Sequence, residues 1–263
     1  MDSLESSVNA VKGGAHRLEL CSSLAVGGLT PSLGLFKCVK RKLPNIILHV
    51  LIRCRDGDFL YSEDEIQVMN EDVECLVEAG ADGIVIGCLD ENGNVDTEKC
   101  HKLIKTANEC AKGRTINVTF HRAFDMTPPT ALTQTMNDVI SIGCSRILTS
   151  GQQKTAIEGK GLIKRLIDQY GQRIIIMPGG GINENNLDEL LNMWTLDHEK
   201  IDGCGEKGGC RVKEFHASAR VSKESKMKYR NAGSKMGSDS DEYMTKVTSY
   251  EIVRKMVDMY NLQ

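Results

Sequence analysis

Aromatic residues are scarce in this chain of 263, at 5%, with a single tryptophan. Any core must therefore rest on Ile, Val, Leu and Met. No run of apolar residues is long enough to cross a bilayer. The longest, "IILHVLI" (46–52), has the length of a strand and carries a histidine. The N-terminal "MDSLESSVNA" has neither a basic region nor an apolar one, so no signal peptide is expected. Positive charge is not in excess either: the net charge is −3 and the pI about 6.1, which leaves no electrostatic footprint for nucleic acid. These absences point to the cytoplasm, with the nucleus open by diffusion, and to partners other than nucleic acid or membrane.

Cysteine is plentiful, with ten residues, yet none forms C-x-x-C, which argues against zinc ribbons and thioredoxin-type chemistry. In a reducing compartment most should pack as small apolar side chains. Hydrophobic content of 40% and charged content of 26% suit a globular chain with a sizeable core.

Strand-like and helix-like segments alternate. The strand candidates are 16–20, 46–53, 82–89, 116–121, 146–150, 173–178 and 214–219, short and rich in β-branched residues. Between them, Ser62 and Glu65 form a capping-box pattern ahead of a helix that stops at Gly80, and further helices stop at Gly113 and Gly171. This order predicts a parallel sheet with right-handed crossovers. Seven strand–helix units at a spacing of roughly 30 residues predict a (β/α)8 TIM-type barrel, whose usual length of about 250 residues fits. An open doubly wound sheet is the rival, weakened by the lack of G-x-G-x-x-G after the first strand. The expected barrel lacks its first strand, because the chain opens on a helical pattern at 3–14. A single domain over 1–263 is expected, with an insertion at 194–213 and a long polar loop at 220–247.

Sites in such barrels gather at the C-terminal ends of strands. There, strand parity turns Glu19, Thr119, His121 and His216 inward. Arg53, Arg122 and Asp125 stand at the strand ends beside them. Each could be a satisfied core group, or part of an ion-pair ring that closes the barrel top. Their convergence is harder to explain structurally, since burying charge is costly. One chemistry they permit is acid–base catalysis on a small anionic or phosphorylated substrate. His121 or His216 would be acid and base, Glu19 a second base, and Arg53 and Arg122 the anion clamp, with Asp125 in the same cluster. The turn "MPGGGINENN" adds Gly179, Gly180 and Gly181 after a strand, either as a phosphate cradle or as a tight left-handed turn.

The segments "RLELCSSLAVGGLTPSLG", "IRCRDGDFLYS", "FHRAFD", "ILTSG", "MPGGGI", "EFHASAR" and "MKYRN" resemble, in order and spacing, the CutC copper-homeostasis proteins. The likeness runs from Asp2 to the final helix. It implies a (β/α)8 barrel, a cytoplasmic location, homo-oligomers, and Cu(I) bound through cysteine. The family's "LELCS" cysteine corresponds to Cys21. Three departures bear on copper. The family's first strand, read like "MEVCV", would precede Met1. Ala217 stands where some members have cysteine, and "RCR" in place of "RPR" adds Cys54 as a weaker candidate ligand. Cys204 and Cys210 form a further pair in a glycine-rich insertion.

Overall fold

The computed structural model describes residues 1–195, 212–231, 233–234 and 242–262. Most of the 194–213 insertion, with Cys204 and Cys210, lies outside the described residues. Six parallel strands form one sheet in the order β1 to β6: Arg17–Leu20, Ile47–Leu51, Gly83–Ile86, Asn117–Phe120, Arg146–Thr149 and Ile175–Pro178. Helices follow each crossover: α2 (Leu33–Lys42), α3 (Glu63–Glu78), α4 (Thr97–Cys110), α5 (Leu132–Ser141) and α6 (Lys160–Tyr170), with α7 (Leu187–Thr195) after β6. Helix α1 (Leu4–Lys12) precedes the sheet and α8 (Tyr250–Asn261) ends the chain. The fold is α/β of the TIM type, its sheet curled into a half-barrel.

Local chemistry sets the helix ends. The Ser62 hydroxyl accepts from the Glu65 N–H, and the Glu65 carboxylate accepts from the Ser62 N–H, so both halves of the capping box form. Beyond α3, Gly80 takes φ +104°, the left-handed exit that glycine allows. Along the strands, one parity faces the helices and is apolar: Leu18, Leu20, Leu48, Val50, Ile84, Ile86, Phe120 and Ile147 are all buried. The other parity faces inward and is mixed, with Arg17, Glu19, His49, Thr119 and Arg146 beside Leu51, Val85, Leu148 and Met177.

Contacts across that inward face fit the curl. Neighbouring strands are roughly 4.8 Å apart, so in a flat sheet β1 and β5 would be separated by about 19 Å. Yet the Glu214 carboxylate accepts from Arg17 Nη2 of β1 (2.6 Å) and from Arg146 Nε and Nη2 of β5 (3.0 and 3.1 Å). One side chain spans the barrel.

The segment 214–219, expected as a strand, makes a single parallel bridge, His216 to Gly179, with the His216 N–H on Pro178 O at 2.8 Å. Its polar side chains, rather than a backbone ladder, hold it across the gap between β6 and β1. On the free edge of β1, opposite β2, the Met1 nitrogen donates to Glu19 O (2.5 Å) and its carbonyl accepts from the Cys21 N–H (2.9 Å). The segment 220–247, expected as a long polar loop, carries strand structure. It contains β7 (Arg220–Glu224) and β8 (Met244–Thr248), an antiparallel pair in the register Arg220 to Thr248. Neither strand has an apolar face, which hid the pair from a periodicity argument. The pair is fastened to α1, where Ser6 Oγ accepts from the Thr248 N–H and Asn9 donates to Thr248 O.

Candidate functional site

Strand β3 makes room for the site. Its inward positions are Gly83 and Val85, and Gly87 follows just past its end. A Cβ on Gly83 would stand 2.7 Å from the His49 ring, and one on Gly87 would stand 2.5 Å from the His121 ring. Both imidazoles therefore lie against bare backbone.

Glu19 and His216 form the pair at the mouth, with Oε2 to Nε2 at 3.2 Å. Burial alone would push the Glu19 carboxyl up. The charge and hydrogen bond of His216, with His49 and Arg17, outweigh burial and hold it at about 2. His49 is fully buried beside Glu19 in the β1–β2 register. Burial, then Arg17 and Arg146, lower its pKa to about 4 against the pull of Glu19 and Glu214. His121 accepts the Ala123 N–H on Nδ1 (3.1 Å), so in the neutral ring Nε2 carries the proton. Burial, reinforced by Arg53, lowers its pKa to about 3. The Phe59 ring packs 4.9 Å from it.

The structure thus buries Thr119 and His121 on the inward face with the Glu19–His216 pair, and adds His49. Other residues selected from the sequence have different employment. The Arg53 fork donates to Val26 O, Gly28 O and Gly57 O at 2.8–2.9 Å, binding two loops together beneath Phe59. The Asp125 carboxylate accepts from Arg122 Nε, from the backbone N–H groups of Ser150 and Gln152, and from the Thr149 and Ser150 hydroxyls. With that many donors it organises the loop after β5.

Arg122 remains half-exposed at the rim. Its Nη2 donates to Ser150 Oγ (2.8 Å), while Nη1 lies 3.4 Å from where a Cβ on Gly180 would sit. Gly180 and Gly181 take φ +98° and +73°. A Cβ on Gly179 would meet Leu148 at 2.4 Å and His216 at 3.2 Å. A tight turn and close packing explain these glycines, and the turn also places them beside a cation. A cavity of about 300 Å³ lined by Pro129, Gln152, Leu162 and Arg165 lies behind the β5 loop, apart from the Glu19–His216 pair.

Cys21 is buried just after β1, its sulfur 3.7 Å from Met1 O, and burial pushes its thiol pKa up. Cys54 is half-buried, and its thiol is pushed up by burial and then by Glu65, a group on α3. Among the described residues no three of His, Cys, Asp and Glu cluster as a metal site. Sequence reasoning passed over His49, although an ionisable ring at an inward position of an apolar strand was a readable signal. Gly83 and Gly87, four apart on one face of β3, were another.

Comparison with known proteins adds a family. Residues 1–199 match the CutC family. The chain is 44% identical over 259 residues to the copper homeostasis protein cutC homolog of Mus musculus, covering 97% of this chain and 86% of that one. Its likeness to the Homo sapiens homolog is also 44%, over 97% of this chain and 85% of that one. A crystal structure of the putative copper homeostasis protein CutC from Streptococcus agalactiae superposes with a TM-score of 0.66 at 33% identity. It covers 73% of this chain and 90% of the other.

Proposed function

The chain belongs to the CutC family, and we propose that it serves copper homeostasis as a cytosolic protein holding Cu(I) at Cys21. The observation that carries this reading is a buried thiol where the family motif has its cysteine, at the C-terminal end of β1. Thiolate and thioether sulfur select Cu(I) over harder cations. The Met1 carbonyl lies 3.7 Å from the Cys21 sulfur, while the Met1 thioether accepts from the Thr248 hydroxyl. Cys54 is the weaker candidate, since its surroundings are the charged groups of α3. Homo-oligomeric assembly is part of the same proposal and is checked by light scattering. In a competition with a Cu(I) chelator, Cys21→Ser should weaken affinity at least tenfold, while Cys38→Ser leaves it unchanged. Equal affinities would remove Cys21 from the site.

A second reading rests on the Glu19–His216 pair. Glu19 fixes one nitrogen of His216 and leaves the other free for proton transfer, the arrangement of an acid–base enzyme acting on a small anionic or phosphorylated substrate. An untargeted metabolite incubation followed by NMR tests it: a compound consumed by the protein and spared by Glu19→Gln is expected. Consumption of nothing, or the same consumption by the variant, would dismiss the enzyme.

A further inference from the structure

Four inward-facing side chains present buried polar atoms that have no hydrogen-bond partner among the described residues. They are Glu19 Oε1, both nitrogens of His49, Thr119 Oγ1 and His121 Nε2. His49 and Thr119 are completely buried and His121 is 5% exposed. Buried polar atoms are nearly always partnered in native proteins, so four such side chains in one interior form an exceptional set. The set is also complementary. The carboxylate oxygen accepts, His121 Nε2–H donates, the threonine hydroxyl does either, and a neutral His49 offers one of each.

Charge narrows the ligand. Arg17 and Arg146 share the single carboxylate of Glu214, Arg53 spends its terminal nitrogens on loop carbonyls, and the negative charge of Glu19 already faces His216. With those charged ends engaged, the atoms still without a partner are donors and acceptors of the kind that hydroxyl and carbonyl groups satisfy. An anionic group belongs at the rim, where Arg122, held by Asp125 through Nε, turns Nη1 toward Gly180. There the N–H groups of Gly180 and Gly181 have no acceptor among the described residues. Exposed backbone N–H groups with a guanidinium make an oxyanion seat.

Resting on the enzyme reading above, we propose that the barrel mouth binds a small phosphorylated polyol or hydroxy-carbonyl compound. Its hydroxyl or carbonyl oxygens meet Glu19, Thr119 and His121, and its phosphate meets Arg122 and the Gly180–Gly181 turn. Calorimetric titration with three probes tests the division of labour: inorganic phosphate, glycerol and glycerol 3-phosphate. Glycerol 3-phosphate should bind at least tenfold more tightly than either part alone. His121→Phe should reduce it to the level of inorganic phosphate, and Gly180→Ala should reduce it to that of glycerol. Should Gly180→Ala fail to fold, sulfate competing with glycerol 3-phosphate in the unmutated protein reports the same seat. Equal affinity for the three probes, no binding of glycerol 3-phosphate, or indifference to sulfate would overturn the proposal. Tight binding without any turnover in the metabolite incubation would leave the ligand class standing and remove the enzyme. Turnover of an unphosphorylated compound without binding of glycerol 3-phosphate would do the reverse.

Discussion

Glu19 Oε2 lies 3.2 Å from His216 Nε2, and this contact joins the first strand of the sheet to the segment that follows the sixth. Its neighbour one layer deeper, Glu214 between Arg17 and Arg146, does the same with two arginines. Polar side chains thus close the half-barrel where backbone pairing stops at one bridge. The groups that would do chemistry also help hold the fold together, so pH should act on both.

The direction of that dependence follows from the shifts. His49 and His121, at about 4 and 3, lie below the ordinary histidine value of 6.5, so the unfolded chain binds protons where the folded one does not. Stability from these groups is present above pH 6.5 and is lost as the pH falls toward 4 and 3. Glu19 is also depressed, from 4.5 to about 2, and its contribution is lost over that lower window. Each histidine should add up to about 1.4 kcal/mol per pH unit to the slope between pH 6 and 4. Urea midpoints at pH 7, 6, 5 and 4 should fall steadily, and less steeply in His49→Asn. A midpoint that does not move with pH would contradict the burial of both rings.

Removing the shared carboxylate should be costly. Glu214→Ala leaves Arg146, whose side chain is 7% exposed, facing Arg17 with no counter-charge. Breaking such a pair from one side costs about 3–5 kcal/mol, because the remaining charge stays desolvated. Urea unfolding should show a loss of that order. A loss below 1 kcal/mol would mean that the arginines reach water and the barrel end is open there.

Most of the frame was legible in the sequence, for identifiable reasons. The six parallel strands have an apolar helix-facing parity and stop at turns, and Ser62 with Glu65 announces α3. What was hidden depends on cross-chain partners. The 214–219 segment has the composition of a strand, but its side chains bond more than its backbone does. The pair β7–β8 is polar on both faces. Glu19, His121 and His216 were found by strand parity. That Arg53 and Asp125 are engaged by loop contacts could not be read from parity, because loop geometry is not periodic.

The fit of histidine against glycine on β3 can be tested by a double-mutant cycle. Gly87→Ala would put a methyl group 2.5 Å from the His121 ring and should destabilise by about 1–3 kcal/mol through overpacking. His121→Ala removes the nearer obstacle and leaves Ala123 Cβ at 2.9 Å, so the methyl should then cost less. The two effects should fall short of additivity by at least 1 kcal/mol. Strict additivity would show that the ring does not lie on Gly87.

Copper binding, finally, should carry the signature of a buried thiol. Burial raises the Cys21 pKa above the ordinary 9.0, so at neutral pH Cu(I) must displace a proton to meet the thiolate. One proton released per metal makes affinity rise roughly tenfold for each pH unit below that pKa. A histidine ligand behaves differently, since ordinary imidazole is already deprotonated above pH 6.5 and its contribution flattens there. Chelator competition at pH 7, 7.5, 8 and 8.5 separates the two. A continuous rise that disappears in Cys21→Ser is expected. A plateau above pH 7, or a slope that survives the substitution, would place the copper on other ligands.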